Sequence, residues 1–291
     1  MIFWRRIYFC LQAQIVRDLI KRRQKMKFFS RILTVAACLC ITLSGAVPAR
    51  GDDLGAAANN PLANMTVFPI NFNWNNGVGP DHQTLFNLTL QPVIPFAFEK
   101  VNVIARALVP LLDVPQGGTD SSFGLGDTQL QLYWVPAKPT FVTWGLGPMF
   151  NLPTASNPDE LGSGKFGVGP GGILLIQPGQ WTFGLMLNNI WSVAGDADRP
   201  DTNQLTAQYF INRGLGRAWA IGTGPIITAN WEADSGNQWT IPWGLNVSKI
   251  TRFGDQPIQA QLSWYNNGVH PDGAAETQVQ FMLKFLWPTG K

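Results

Sequence analysis

Residues 276–287 sort their side chains by parity, and no other feature of the chain limits its fold as tightly. Thr277, Val279, Phe281, Leu283, Phe285 and Trp287 make one set, and Glu276, Gln278, Gln280 and Lys284 fall in the other. Successive side chains of a strand point to opposite faces, so this segment is expected to be a strand with one apolar and one polar face; a helix would mix the two sets. The same alternation opposes Phe86, Leu88 and Leu90 to Asn87, Thr89 and Gln91, and Leu130, Leu132 and Trp134 to Gln129, Gln131 and Tyr133. It recurs in Trp181–Trp191, Trp239–Ser248 and Ile258–Tyr265. Strands are predicted near 66–74, 84–92, 100–110, 127–135, 141–151, 166–176, 180–191, 203–212, 217–229, 238–248, 257–266 and 276–287.

Twelve such strands would bury their apolar faces either against a second sheet or against lipid. A sandwich shares only about 10 Å of core and has little use for wide aromatics at strand ends. Trp181 and Trp191 lie ten residues apart on one face. At about 3.4 Å per residue and a tilt near 40°, they stand roughly 26 Å apart along a barrel axis, the height of a lipid-facing apolar band. Strands cross hydrocarbon only when every backbone group is paired, which demands closure. The expected fold is therefore all-β: a closed antiparallel transmembrane β-barrel of about 12 strands over 66–291. An even number also returns both termini to one side, as in bacterial barrels.

The connections support an orientation. Short ones are expected at Pro136–Thr140, Gln177–Gln180, Asn212–Gly216 and Thr251–Gln256, with Lys138, Arg213, Arg217 and Arg252 among or beside them. Long, acidic ones are expected at Leu112–Gly126, Leu152–Gly164, Ala194–Thr202 and Asn230–Gln238. Short periplasmic turns and longer external loops are the usual asymmetry. Pro148, Pro170, Pro225 and Pro242 fall inside predicted strands, where they should mark bulges or strand ends.

Charge enters with the leader. Ten of the 21 Lys and Arg lie in residues 1–51 with one acid, Asp18, leaving eleven basic against seventeen acidic side chains, a net −6, in the remainder. The basic pI is thus a property of the leader, and no basic face for nucleic acid remains. Lys27 to Arg31 supply a positive region and Ile32 to Val47 an apolar one, followed by small residues, the pattern of a secretory signal. Residues 1–51 are assigned as leader: either 1–25 are an extension before a natural start at Met26, with 26–51 as signal peptide, or 1–25 belong to a long basic n-region. Its apolar run is short for a membrane helix. All three cysteines, Cys10, Cys38 and Cys40, fall within it, so the mature part holds no disulfide and no Cys-based site. Residues 52–65 follow as an N-terminal periplasmic segment or plug.

Motifs for chemistry are few. Gly167–Gly172 satisfies G-x-G-x-x-G, but the apolar Ile173–Ile176 continues it as strand where a dinucleotide site needs a helix. Only two histidines exist, in the near repeats Asn75–Asp81 (with His82 next) and Asn266–Asp272. Asn-Gly turn chemistry accounts for both. If the first and last external loops meet on closure, Asp81, His82, His270 and Asp272 are candidates for a weak cation site. No Ser adjoins either His, which counts against a barrel hydrolase.

LQPVIPF (Leu90–Phe96), ARALVPLLDVP (Ala105–Pro115), FGLGDTQLQLYWVPAK (Phe123–Lys138), GLGPMFNLPTAS (Gly145–Ser156), LGSGKFGVGPGGILL (Leu161–Leu175), ANWEADSGNQWTIPWG (Ala229–Gly244) and QFMLKFLWP (Gln280–Pro288) resemble an outer-membrane barrel family. That family is described as transporters of the MetA pathway of phenol degradation and is often mislabelled neuromedin U. The resemblance spans nearly the whole mature chain and implies a transporter in the outer membrane of a Gram-negative cell, with no catalytic motif to carry over. Many barrels end in an aromatic; here Thr-Gly-Lys follows Pro288, so recognition by the barrel-assembly machinery would fall on Phe285 and Trp287.

Together these observations predict an outer-membrane channel, not an enzyme and without a cofactor, for passive passage of small neutral solutes, aromatic ones among them. The expected lumen-lining residues are Asn87, Gln91, Arg106, Gln129, Gln131, Tyr133, Gln208, Gln259, Gln261, Gln278, Gln280 and Lys284. An inward Arg such as Arg106 is more often a structural ion-pair partner than a substrate ligand. The alternatives are a structural or surface-interaction barrel with a blocked lumen, a barrel hydrolase, and a secreted soluble β-sandwich.

Overall fold

The structure, a computed structural model, describes residues 57–138 and 140–288. The leader assigned to 1–51, its cysteines, residues 52–56 and the terminal Thr-Gly-Lys lie outside the described residues.

One antiparallel sheet is built from β1 (Met65–Val78), β2 (Gln83–Leu90), β3 (Val93–Ala97), β4 (Val101–Pro115), β5 (Ser121–Leu125), β6 (Thr128–Pro136), β7 (Val142–Leu152) and β8 (Lys165–Ile176). It continues through β9 (Trp181–Gly195), β10 (Asn203–Gly216), β11 (Trp219–Thr223), β12 (Ile226–Asn230), β13 (Trp239–Phe253), β14 (Gln256–Val269) and β15 (Thr277–Pro288). Three staves are broken in two, β2/β3 at Gln91-Pro92, β5/β6 at Gly126-Asp127 and β11/β12 at Gly224-Pro225. The segments therefore make twelve staves, as parity predicts. The sheet closes where β15 pairs with β1 over an unbroken register from Met65↔Pro288 to Asn76↔Thr277. No helix among the described residues is long and apolar enough to cross a membrane; the chain crosses with strands.

The outer face carries the apolar parity set. Leu185, Leu187, Trp191, Leu245, Leu262 and Trp264 are all exposed. Trp144, Trp181, Trp219 and Trp287 stand near the short-turn end, and Trp191, Trp231, Trp243 and Trp264 nearer the long loops. Arg213 lies 5.3 Å from the Trp181 ring and Lys249 4.9 Å from Trp219, so cations and indoles share the short-turn rim. Apolar surface on this scale is stable only against lipid.

Short and long connections alternate, with altered bounds. The turn expected at Asn212–Gly216 moves to Arg217-Ala218, both with positive φ (51° and 63°), because β10 stays paired with β11 through Gly216. The one expected at Thr251–Gln256 shrinks to Gly254-Asp255, since β13 and β14 pair to Phe253↔Gln256. The long loop expected at Leu112–Gly126 contracts to 116–120, as Pro115 pairs with Ser121.

The four strand prolines divide. Pro225 falls at the β11/β12 break and Pro242 at a register shift against β14, as predicted. Pro148 and Pro170 instead face each other within continuous β7 and β8. No residue is inserted there. The ladder lapses on their outer sides, between Gln131↔Met149 and Trp134↔Leu146 and between Val168↔Trp191 and Gly171↔Asn188, where the missing N–H groups would have donated. Each proline follows a glycine pressed against the neighbouring backbone: a Cβ on Gly147 would lie 1.8 Å from the Leu132 carbonyl oxygen, and one on Gly169 1.7 Å from that of Asn189.

Part of the interior is filled. Ile104, Tyr133, Met149, Ile173, Leu175 and Phe210 pack into one cluster with Leu62. Inward glycines make room for it, with Met149 lying across Gly171 and Ile190 across Gly167. The G-x-G-x-x-G run is this packing surface. We expect Gly169→Ala to destabilise the barrel by about 1–3 kcal/mol, the range for overpacked sites, as a lower urea midpoint in detergent micelles. Gly214→Ala, whose added methyl meets nothing closer than 3.6 Å, should change it by less than about 0.5 kcal/mol.

Candidate functional site

What remains open inside the barrel follows from parity. β1, β13, β14 and β15 turn amides and hydroxyls inward, where Asn71, Asn73, Asn246, Gln259 and Ser263 are buried. Against them stands the apolar cluster. Between the two walls lies a cavity of about 200 Å³, lined by Gln91, Arg106, Met186, Gln208, Phe210, Gln261, Tyr265, Gln280, Met282 and Lys284, among others.

Residues 57–64 form one end of this cavity, beside the short turns. Asn60 Nδ2 donates to Gln177 Oε1 (3.2 Å), Gln259 Nε2 donates to Asn59 Oδ1 (3.0 Å), and Lys284 Nζ donates to the Ala58 carbonyl (2.8 Å). Leu62 is buried in the apolar cluster, and Ala58 packs with Met65, Ala218, Ile250 and Leu286. The segment is thus held by both polar and apolar contacts.

The predicted lining residues fare unequally. Gln91, Arg106, Gln208, Gln261, Gln280 and Lys284 line the cavity. Gln129 lines a second cavity of about 150 Å³ toward the long loops, with Asp127, Asn151, Ser163, Thr202 and Gln204. Gln278 and Gln280 both donate to Asn73 Oδ1 (3.1 and 2.8 Å), and Asn73 Nδ2 donates to the Asn87 carbonyl (3.1 Å). Asn87 Oδ1 in turn accepts from the Thr89 hydroxyl. Gln259 is 1% exposed and bonds Asn59 and Ser248, while its Oε1 has no partner. Gln131 and Tyr133 point inward but are packed away, the Tyr133 hydroxyl bonding Gln131.

Arg106 departs from its expected role. Its Nη2 donates to Gln91 Oε1 (3.0 Å) and its Nη1 approaches Met186 Sδ (3.8 Å), with no carboxylate partner among the described residues. A pairing acid is expected because isolated buried charges are costly, yet none among the described residues lines this cavity.

Closure brings the first and last external loops together, Gly79 N donating to the Gly273 carbonyl (2.9 Å). The four cation candidates are nonetheless not assembled. His82 Nδ1 lies 3.0 Å from Glu276, His270 Nδ1 lies 3.0 Å from the Pro271 carbonyl, and Asp272 N donates to Asn237. Among the described residues no three His, Cys, Asp or Glu side chains converge.

Two anchors at the long-loop end escaped the sequence reading. Asp127 accepts from Ser163 N and Oγ (both 2.7 Å) and from Ala155 N (3.2 Å), tying the 153–164 loop to the β5/β6 break. Arg199 donates to the Ser163 and Gly162 carbonyls and pairs with Asp159 at 2.8 Å. An acid beside a strand-breaking glycine (Gly126-Asp127) was the available signal for the first.

With this geometry in view, comparison with solved structures finds an outer membrane channel from Pseudomonas putida F1, 15% identical, covering 77% of this chain and 96% of that one, with a TM-score of 0.57. The fold is that of an outer-membrane barrel. The NanC porin also matches, at 9% identity over 76% of this chain and all of that one, with a TM-score of 0.49. No family model and no curated protein matches the chain. Closed barrels with an apolar outer band and closed backbone pairing reside in bacterial outer membranes, and so does this one.

At the external face, hydrogen bonds from Lys165 Nζ (3.1 Å) and Ser192 Oγ (3.1 Å), together with the Lys165 charge, hold the Asp201 carboxyl below the ordinary carboxylate range. A depressed folded pKa gives a contribution that is complete above the unfolded value, about 3.9, and is lost as pH falls through the folded one. We expect carboxyl NMR to place the Asp201 midpoint below that of a free aspartate, and Lys165→Met to return it toward the ordinary value.

Proposed function

We propose that this protein is an outer-membrane channel through which small solutes diffuse passively, neutral aromatic compounds among them. The observation that carries the reading is the cavity between an amide wall and an apolar wall in a closed transmembrane barrel. The amides exchange hydrogen bonds with a polar group in place of water, and the apolar wall accepts a ring or alkyl body. Such a lumen discriminates by width and by hydrogen-bonding groups, with no energy source required. The resemblance to transporters of phenol degradation agrees with aromatic solutes of this size. Recognition by the assembly machinery is assigned to Phe285 and Trp287, which stack at 6.2 Å beside the end of the last strand.

A structural barrel with a blocked lumen is the second reading, favoured by residues 57–64 and their bonds to Gln177, Gln259 and Lys284. Planar-bilayer recording separates the two. The mature chain should give discrete single-channel steps, and deletion through Asn64 should enlarge them. Absence of steps in the intact chain, with steps appearing only on deletion, would favour the blocked barrel; absence in both would sink the channel.

A further inference from the structure

We propose that Arg106 and Lys284 form a lumen site for a small organic monocarboxylate with an apolar or aromatic body. The two cations line one cavity, and among the described residues no carboxylate lines it with them. A guanidinium carries five N–H donors and an ammonium three. Arg106 places one on Gln91 and turns another toward the soft sulfur of Met186, while Lys284 gives one to the Ala58 carbonyl. Neutral acceptors leave both charges uncompensated in a space walled by protein, where a charge without a counter-ion is costly. A carboxylate would take the remaining donors in charge-assisted hydrogen bonds, and a guanidinium fork suits it best.

The rest of the cavity sets the class of ligand. Gln208, Gln261 and Gln280 border the same space with amide nitrogens that bond Gly224, Ser263 and Asn73, while Phe210, Met186 and Met282 offer ring and thioether surface. A multiply charged phosphate or an acidic sugar would leave that apolar wall unused. A single carboxylate on a ring uses both halves. The acidic side chains elsewhere do not cancel this field. Asp127 is engaged by Ser163 and Ala155 at the external vestibule. Asp159 and Asp201 are exposed and paired with Arg199 and Lys165, and charges in solvent are screened beyond about 8 Å at physiological salt.

The site's role in passage rests on the channel reading; its capacity to bind does not. The test uses the detergent-folded protein, with benzoate as the monocarboxylate and benzamide as its neutral counterpart. Calorimetry should detect benzoate binding, weakened on the order of tenfold in Arg106→Gln and in Lys284→Gln, the loss of one charged hydrogen-bonding partner. Arg106→Lys should restore part of it, and benzamide should bind all forms alike. A heat-dependent gel shift verifies that each variant is folded. In bilayers under a KCl gradient, the reversal potential should indicate anion preference in the parent and less in the double variant. Benzoate affinity equal to that of benzamide, or unchanged in both variants, overturns the site. Intact benzoate binding without any conductance overturns the channel and leaves the site standing.

Discussion

Everything in this molecule depends on the pairing of the first stave with the last. In hydrocarbon an unpaired backbone group costs several kcal/mol, and an open sheet would present two full edges of them. The β1–β15 register removes both edges. Once it exists, parity allots each side chain to lipid or lumen, and a one-residue slip would exchange the two sets throughout a stave. The prolines follow from the same constraint. A residue without an N–H is tolerated where the ladder lapses, and Pro148, Pro170, Pro225 and Pro242 each lie at a break, a shift or a lapse.

The interior is governed by a second, weaker rule. Lipid dictates the outer face, whereas the inner face is free to be dry or wet. Here it is both. Glycines on β8 let Met149 and Ile190 lie flat against the wall, and the facing staves keep their amides for the cavity. The two lumen cations lie where these regimes meet, Arg106 touching both Gln91 and Met186.

The strands and their number were legible because alternation is a local signal. Thr277 to Trp287 declare their faces without reference to any neighbour. Pro225 and Pro242 were legible for the same reason, since a missing donor is a property of the residue itself. Turn bounds were not: Asn212–Gly216 holds two glycines and looks like a turn, yet cross-strand pairing carries β10 past them and forces Arg217 and Ala218 into left-handed backbone. The lining was legible by direction but not by depth. Gln131 and Tyr133 point inward as parity requires, but Tyr133 is packed in a cluster whose members come from distant staves. Asp127 and Arg199 act on loop carbonyls and amides up to 37 residues away, and such partnerships leave no periodic trace.

The crowding over Gly167 and Gly171 bears on what determines bore. Twelve staves enclose more room than this protein leaves empty, so circumference alone does not set the open volume. Part of the difference is taken up by side chains resting on bare backbone. Bore in such a barrel is therefore an adjustable property: exchanging Met149 or Ile190 for smaller groups would enlarge it, and adding bulk opposite them would shut it, with no change in strand count or closure. Diversification of the lumen thus needs only point substitutions at inward positions, while the lipid-facing surface stays constant.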